Sequence, residues 1–96
     1  MTDVHHNPAR QRYELAAEGA VAIAVYDKRG DAIAFTHTEV PQALEGKGIA
    51  SRLIKGALAD VRAQHLKVLP LCSFVAAYID RHPEEQDLLA ANAPGS

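Results

Sequence analysis

The sequence predicts an α/β fold: a three-stranded antiparallel meander, a helix, a fourth strand parallel to the third, and a second main helix. Three observations predict it. Two segments, Ala20 to Tyr26 and Ala32 to Val40, alternate side chains between two faces and are bounded by turn residues. Apolar residues then recur every four positions at Ile49, Leu53, Ala57 and Val61, with Ile54 and Leu58 beside them, which is a helical stripe. A short apolar run, Lys67-Val68-Leu69-Pro70-Leu71, follows that helix and leads into a second helical pattern.

The first strand is Tyr13 to Ala16, with a turn at Glu18-Gly19. The second carries Val21, Ile23 and Val25 on one face and alanines on the other. Asp27-Lys28-Arg29-Gly30 supplies the next hairpin turn. On the third strand Ile33, Phe35, His37 and Glu39 are expected on one face, and Ala34, Thr36, Thr38 and Val40 on the other. Pro41 ends that strand. The longest helix runs from about Gly48 to Gln64. The strand-helix-strand step returns the fourth strand parallel to the third, and Pro70, which has no amide donor, needs a sheet edge or a gap between strands. Ser73 to His82 is the second helix, with Phe74, Val75, Tyr78 and Ile79 inward, and Pro83 opens an acidic helical turn to Leu89. Residues 1–12 are expected as a flexible tail, 13–89 as the domain, and 90–96 as a second tail.

A chain of 96 residues suits one domain with a modest core, and its 48% apolar and 23% charged residues are ordinary for a globular protein. A net charge of −2 with no basic run argues against nucleic acid, and no apolar stretch is long enough to span a membrane. The single cysteine, Cys72, fits a reducing compartment, which predicts a cytoplasmic protein. His5 and His6 have no further ligand at metal spacing, so no metal site is expected.

Chemistry concentrates at Glu45-Gly46-Lys47-Gly48-Ile49-Ala50. Helix N-termini have unpaired amides and a partial positive charge, and glycines ahead of one let several amides converge on a phosphate. The same two glycines also suit a plain strand-to-helix turn. A nucleotide-binding Gly-Lys-Ser/Thr loop is excluded because Gly48 follows Lys47. A dinucleotide fingerprint is excluded because Ser51 stands where its last glycine or alanine belongs.

This loop and its surroundings resemble the GNAT superfamily of N-acetyltransferases. The family pattern is Gln or Arg, two residues, Gly, one residue, then Gly or Ala. Gly48-Ile49-Ala50 matches the second half, and Glu45 departs from the pattern at the Gln/Arg position. His37-Thr38-Glu39-Val40-Pro41, Pro70-Leu71-Cys72-Ser73, Tyr78 and His82-Pro83-Glu84 are similar to a small single-domain subfamily, over about Ala20 to Leu89. The resemblance implies a short GNAT-like fold and acetyl-CoA as ligand. It implies that the amides of Gly46, Lys47, Gly48, Ile49 and Ala50, with Ser51 nearby, hold the pyrophosphate. It also places Glu39 and Val40 beside the pantetheine arm, and puts Pro70 where the fourth strand splays away.

Acetyl transfer to an amine needs a base, a stabilised oxyanion and a proton for the departing thiolate. The resemblance offers Tyr78 as that proton donor; a core tyrosine is the plainer reading. His37 and Glu39 are candidates for base or acceptor contact, or a solvated strand pair. Cys72 is a candidate covalent acetyl carrier or disulfide partner of the coenzyme, or a buried free thiol. Two functions follow: an acetyl-CoA-dependent N-acetyltransferase passing acetyl directly to an amine, with an open site that admits a protein side chain or N-terminus; or a non-catalytic module that holds CoA or acyl-CoA.

Overall fold

Arg12–Ala17 (β2), Ala20–Arg29 (β3) and Ala32–Glu39 (β4) form the meander in the computed structural model, which describes residues 4–90. A strand not expected from the sequence, His5–Asn7 (β1), precedes them. Lys67–Pro70 (β5) completes a sheet of order β1-β2-β3-β4-β5, antiparallel throughout except for the parallel β4–β5 pair. Ile49–Ala63 (α1) connects β4 to β5, and Ser73–Arg81 (α2) follows β5. The acidic turn after Pro83 is a 3-10 helix, Pro83–Leu88.

The first correction concerns residues 1–12. His5–Asn7 pair with Arg12–Glu14, and a 3-10 turn, Pro8–Arg10, joins the two strands. Polar His-His-Asn gives no strand signal of its own. Its pairing is secured by side chains: the His6 ring stacks on Tyr13 with centroids 4.3 Å apart. Residues 1–3 and 91–96, the outer parts of the expected tails, lie outside the described residues.

On β3 the alanines face the core. Ala22 and Ala24 are fully buried, whereas Val21 is 46% exposed and Ile23 and Val25 are only half-buried. Small side chains there let α1 lie close to the sheet, and its Leu53, Ile54, Ala57, Leu58 and Val61 fill one core with Tyr13, Leu15, Tyr26 and Phe35. Each buried leucine, isoleucine or valine contributes roughly 1.5–3 kcal/mol. β3 also runs three residues further than expected, to Arg29, so the turn falls at Gly30-Asp31, with Gly30 at φ +63°.

The second correction is a β-bulge. Val25 faces His37, but the next residue, Tyr26, faces Phe35, so Thr36 is an extra residue on β4. The bulge reverses which residues share a face. Ile33 and Phe35 point into the core, but His37 and Glu39 pair with Val25 and Ile23 on the opposite side. Thr38 and Val40 take the α1 side instead. A sequence read with strict two-residue alternation places these four residues on the wrong faces.

At the far end of α1, Asp60 gathers a polar network. The Tyr13 hydroxyl donates to its carboxylate at 2.6 Å, and the Gln64 amide also donates to it. His6 Nδ1 lies 3.3 Å from Asp60, and His6 Nε2 lies 2.6 Å from the Tyr26 hydroxyl. One arrangement satisfies every group: Nδ1–H donates to Asp60, and the Tyr26 hydroxyl donates to Nε2. Burial first, then the hydrogen bond to Asp60, pushes the Tyr13 pKa well above its ordinary value.

Asp60→Ala should therefore leave a buried hydroxyl without its acceptor, at a cost of about 1–2 kcal/mol. For a domain of this size that is a melting temperature lower by roughly 5–15 °C. Adding Tyr13→Phe should cost much less than the sum of the two single changes, as read by circular dichroism; additive losses would show that the bond contributes nothing. Because the folded pKa of Tyr13 lies above the unfolded one, its contribution is complete below about pH 10 and is lost as pH rises further. Tyr13→Phe should flatten the fall in stability measured above that pH.

Candidate functional site

β4 and β5 part company near their ends. Their pairing stops at Phe35 with Pro70, while β4 continues to Glu39. Pro70 is the last residue of β5, as its missing donor requires, and the chain turns away with Leu71 N–H donating to Leu69 C=O at 3.0 Å. Cys72 N–H then closes the gap by donating to Phe35 C=O at 2.7 Å. Beyond that bond the β5-facing edge of β4 has no strand partner among the described residues.

The open edge leads to the start of α1. Residues 42–44 form a 3-10 turn that buries Leu44, and the chain then passes through Glu45 to Gly48. Gly46 and Gly48 have φ of +79° and +72°, a region that favours glycine. Gly48 caps α1 without a side-chain hydrogen bond. The first bond at the helix start runs from Arg52 N–H to Gly48 C=O, so the amides of Ile49, Ala50 and Ser51 have no helical acceptor. Among the described residues nothing lies within 4 Å of where a Cβ would stand on either glycine, so the backbone there is open to approach.

These parts share one cleft of about 480 Å³. Thr38 and Val40 form one wall, Leu44 and Phe74 supply apolar surface, and Glu45, Gly46, Gly48, Ile49, Ala50 and Ser51 form the loop and helix start. An apolar channel that ends on unpaired amides suits a long, thin ligand with phosphate at one end. Six of the expected ligand-binding residues meet here: Val40, Gly46, Gly48, Ile49, Ala50 and Ser51. The side chain of Lys47 points elsewhere, with Nζ 2.7 and 2.8 Å from the carboxylate oxygens of Glu18.

The four candidate catalytic residues separate. Cys72 is half-buried, with Sγ 3.3 Å from Oγ1 of Thr38, a residue of the cleft wall. Tyr78 is 4% exposed and belongs to the core, its ring stacked on His82 at 4.0 Å. Burial and the charges of Glu85 and Glu84 push the Tyr78 pKa up. Phe74, one turn earlier on α2, is the residue of that face that reaches the cleft. His37 and Glu39 pair with each other at 3.2 Å, with side chains 59% and 68% exposed, on the sheet face away from the cleft. Thr38, Leu44 and Phe74 are functional-site residues that the sequence does not point to: the bulge hides Thr38, the 3-10 turn at Leu44 has no periodic signal, and the helical pattern marks Phe74 only as inward-facing.

The comparisons agree with this architecture. A family described as GCN5-related N-acetyl-transferase matches residues 12–88. Protein NATD1 of Mus musculus is 34% identical, over 88% of this chain and 80% of its own length. Protein NATD1 of Danio rerio is 30% identical, over the same shares of the two chains. A GCN5-like chain of Staphylococcus aureus, solved by NMR in solution, superposes with a TM-score of 0.71 at 21% identity, covering 99% of this chain and 96% of that one. With its uncapped glycine loop at the head of α1 and its parted β4 and β5, this chain belongs to the GCN5-related N-acetyltransferase family.

Proposed function

We propose that the chain binds acetyl-CoA in the cleft and passes its acetyl group to an amine. The observation that carries this reading is the cleft in which the open edge of β4 meets the start of a helix with no side-chain cap. The residues present fit the ligand. Amides from Gly46 to Ser51 would hold its diphosphate, helped by the α1 dipole. The free edge of β4 at Thr38 and Val40 would pair with the amides of the pantetheine arm, against Leu44 and Phe74. Acetyl-CoA supplies a thioester, whose acetyl group an amine takes with release of the thiol. The acceptor in this reading is an amine on a protein side chain or N-terminus. A reducing, cytoplasmic setting suits the free thiol of Cys72.

Transfer has two readings. In the direct one the amine attacks the thioester carbonyl and Tyr78 gives the departing thiolate its proton. In the other, the Cys72 thiolate attacks first, the CoA thiol leaves with a proton, and the amine then displaces acetyl from Cys72, restoring the thiol. The Cys72–Thr38 contact favours the second, because it sets the thiol beside the cleft wall while Tyr78 lies in the core. No catalytic role is proposed for His37 or Glu39, which face away.

CoA at a hundredfold excess over its dissociation constant should stabilise the fold by about 2.7 kcal/mol, a rise of several degrees in melting temperature. Gly48→Asp, which adds a carboxylate and a Cβ at a positive φ, should abolish that rise while the variant still melts cooperatively. A folded wild type that shows no shift with millimolar CoA would refute the ligand. Glu45→Gln should hold or tighten binding, since it removes a negative charge from the phosphate end.

Mass spectrometry after incubation with acetyl-CoA separates the routes. Relay through the thiol predicts one acetyl group on Cys72 without acceptor, and an inactive Cys72→Ala. Direct transfer predicts an active Cys72→Ala, and turnover lowered by about 10²–10⁴-fold in Tyr78→Phe. Tight CoA binding with no acetylation of Cys72 or of any amine would favour the binding module.

A further inference from the structure

Lys47 sits between the two positive-φ glycines of the loop, yet its ammonium is held by a residue that does not line the cleft. Both carboxylate oxygens of Glu18 reach it, at 2.7 and 2.8 Å. Glu18 belongs to the tight turn between β2 and β3, where Glu18 at φ +50° and Gly19 at φ +81° reverse the chain. Positive φ at both turn residues is the conformation that matches the twist of a hairpin, so the carboxylate is presented by a rigid tip. The two side chains are 46% and 58% exposed, so a diffusing anion can reach the pair. Twenty-nine residues of sequence separate them, and no helical or strand register accounts for their meeting.

We propose that Glu18 and a ligand phosphate compete for Lys47, so that the β2–β3 hairpin tip sets the affinity of the loop for phosphate. The inference rests on the coenzyme reading above. Without ligand, the carboxylate neutralises the ammonium and draws it from the loop. When a phosphate arrives at the amides of the helix start, Lys47 leaves Glu18 and swings to it on its flexible stem. Breaking an exposed ion pair takes little free energy, so the exchange is readily reversible. The ligand chemistry is a phosphate on a nucleotide tail, either the diphosphate or the terminal phosphomonoester of CoA.

Calorimetric titration tests this with CoA, with dephospho-CoA, which lacks the terminal phosphomonoester, and with pantetheine, which lacks phosphate. Glu18→Gln keeps the shape of the side chain and should tighten CoA binding about two- to fivefold, the range expected for one exposed pair. Lys47→Met should weaken it, and in that background Glu18→Gln should bring no gain. A gain with both nucleotides assigns the competition to the diphosphate; a gain with CoA alone assigns it to the phosphomonoester. Unchanged or weaker CoA binding in Glu18→Gln overturns the proposal. So does a gain that persists without Lys47, which would be a general effect of charge, or an equal gain with pantetheine. If the folded wild type binds no CoA, the coenzyme reading falls and this inference with it; if it binds and Glu18→Gln is silent, only this inference falls.

Discussion

The end of β5 at Pro70 is the constraint on which the site depends. A parallel pair continues only while both strands can donate and accept, and Pro70 has no donor. β5 therefore stops beside Phe35, while β4, held on its other side by β3, runs on to Glu39. The result is a strand paired on one edge and open on the other. Unmet backbone groups inside a fold are costly, so such an edge persists only where water or a ligand can satisfy it. Cys72 takes the last inner carbonyl, that of Phe35, and so fixes both where the opening begins and which residue stands at its mouth.

The bulge at Thr36 then decides what lines the opening. Without it, Thr38 and Val40 would share the face of Ala34, and His37 and the Glu39 carboxylate would stand over the cleft. With it, a hydroxyl and an apolar side chain face the channel, and the Glu39 carboxylate goes to solvent with His37. One inserted residue thus converts an acidic wall into a neutral one, which suits the uncharged middle of a ligand whose charge is at one end. Thr36 itself bonds back across the bulge, its hydroxyl 3.4 Å from the Val25 carbonyl.

Much of this was legible in the sequence because periodicity reports burial. The four-residue spacing from Ile49 to Val61 located α1, which runs from Ile49 to Ala63. The glycines at 46 and 48 marked the loop, since few other residues tolerate their φ. What was not legible depends on contacts between distant residues. β1 is a strand because His6 meets Tyr13, Tyr26 and Asp60, and no local pattern carries that. The bulge leaves every residue type on β4 unchanged and alters only their parity, so alternation read from the chain alone goes wrong from His37 onward. The polar His-Thr-Glu stretch hid it further, because neither face of that stretch carries an apolar signal to contradict the other.

The two ends of α1 divide stability from binding. At its C-terminal end Asp60 ties the helix to β1, β2 and β3 through His6, Tyr13 and Tyr26, and Arg62 ties it to the final turn by bonds to Asp87, Glu85 and the Glu84 carbonyl. At its N-terminal end no side chain caps it. An absent cap leaves about 1 kcal/mol ungained, which the fully buried Leu53, Ile54, Leu58 and Val61 offset several times over. The helix is therefore anchored by side chains at one end and left without a side-chain cap at the other, where the phosphate of the proposed ligand would supply the missing acceptor. A side-chain cap at position 48 would satisfy the same amides from within and compete with the ligand. The glycine there keeps the helix start empty, and the anchored far end keeps an uncapped helix in place.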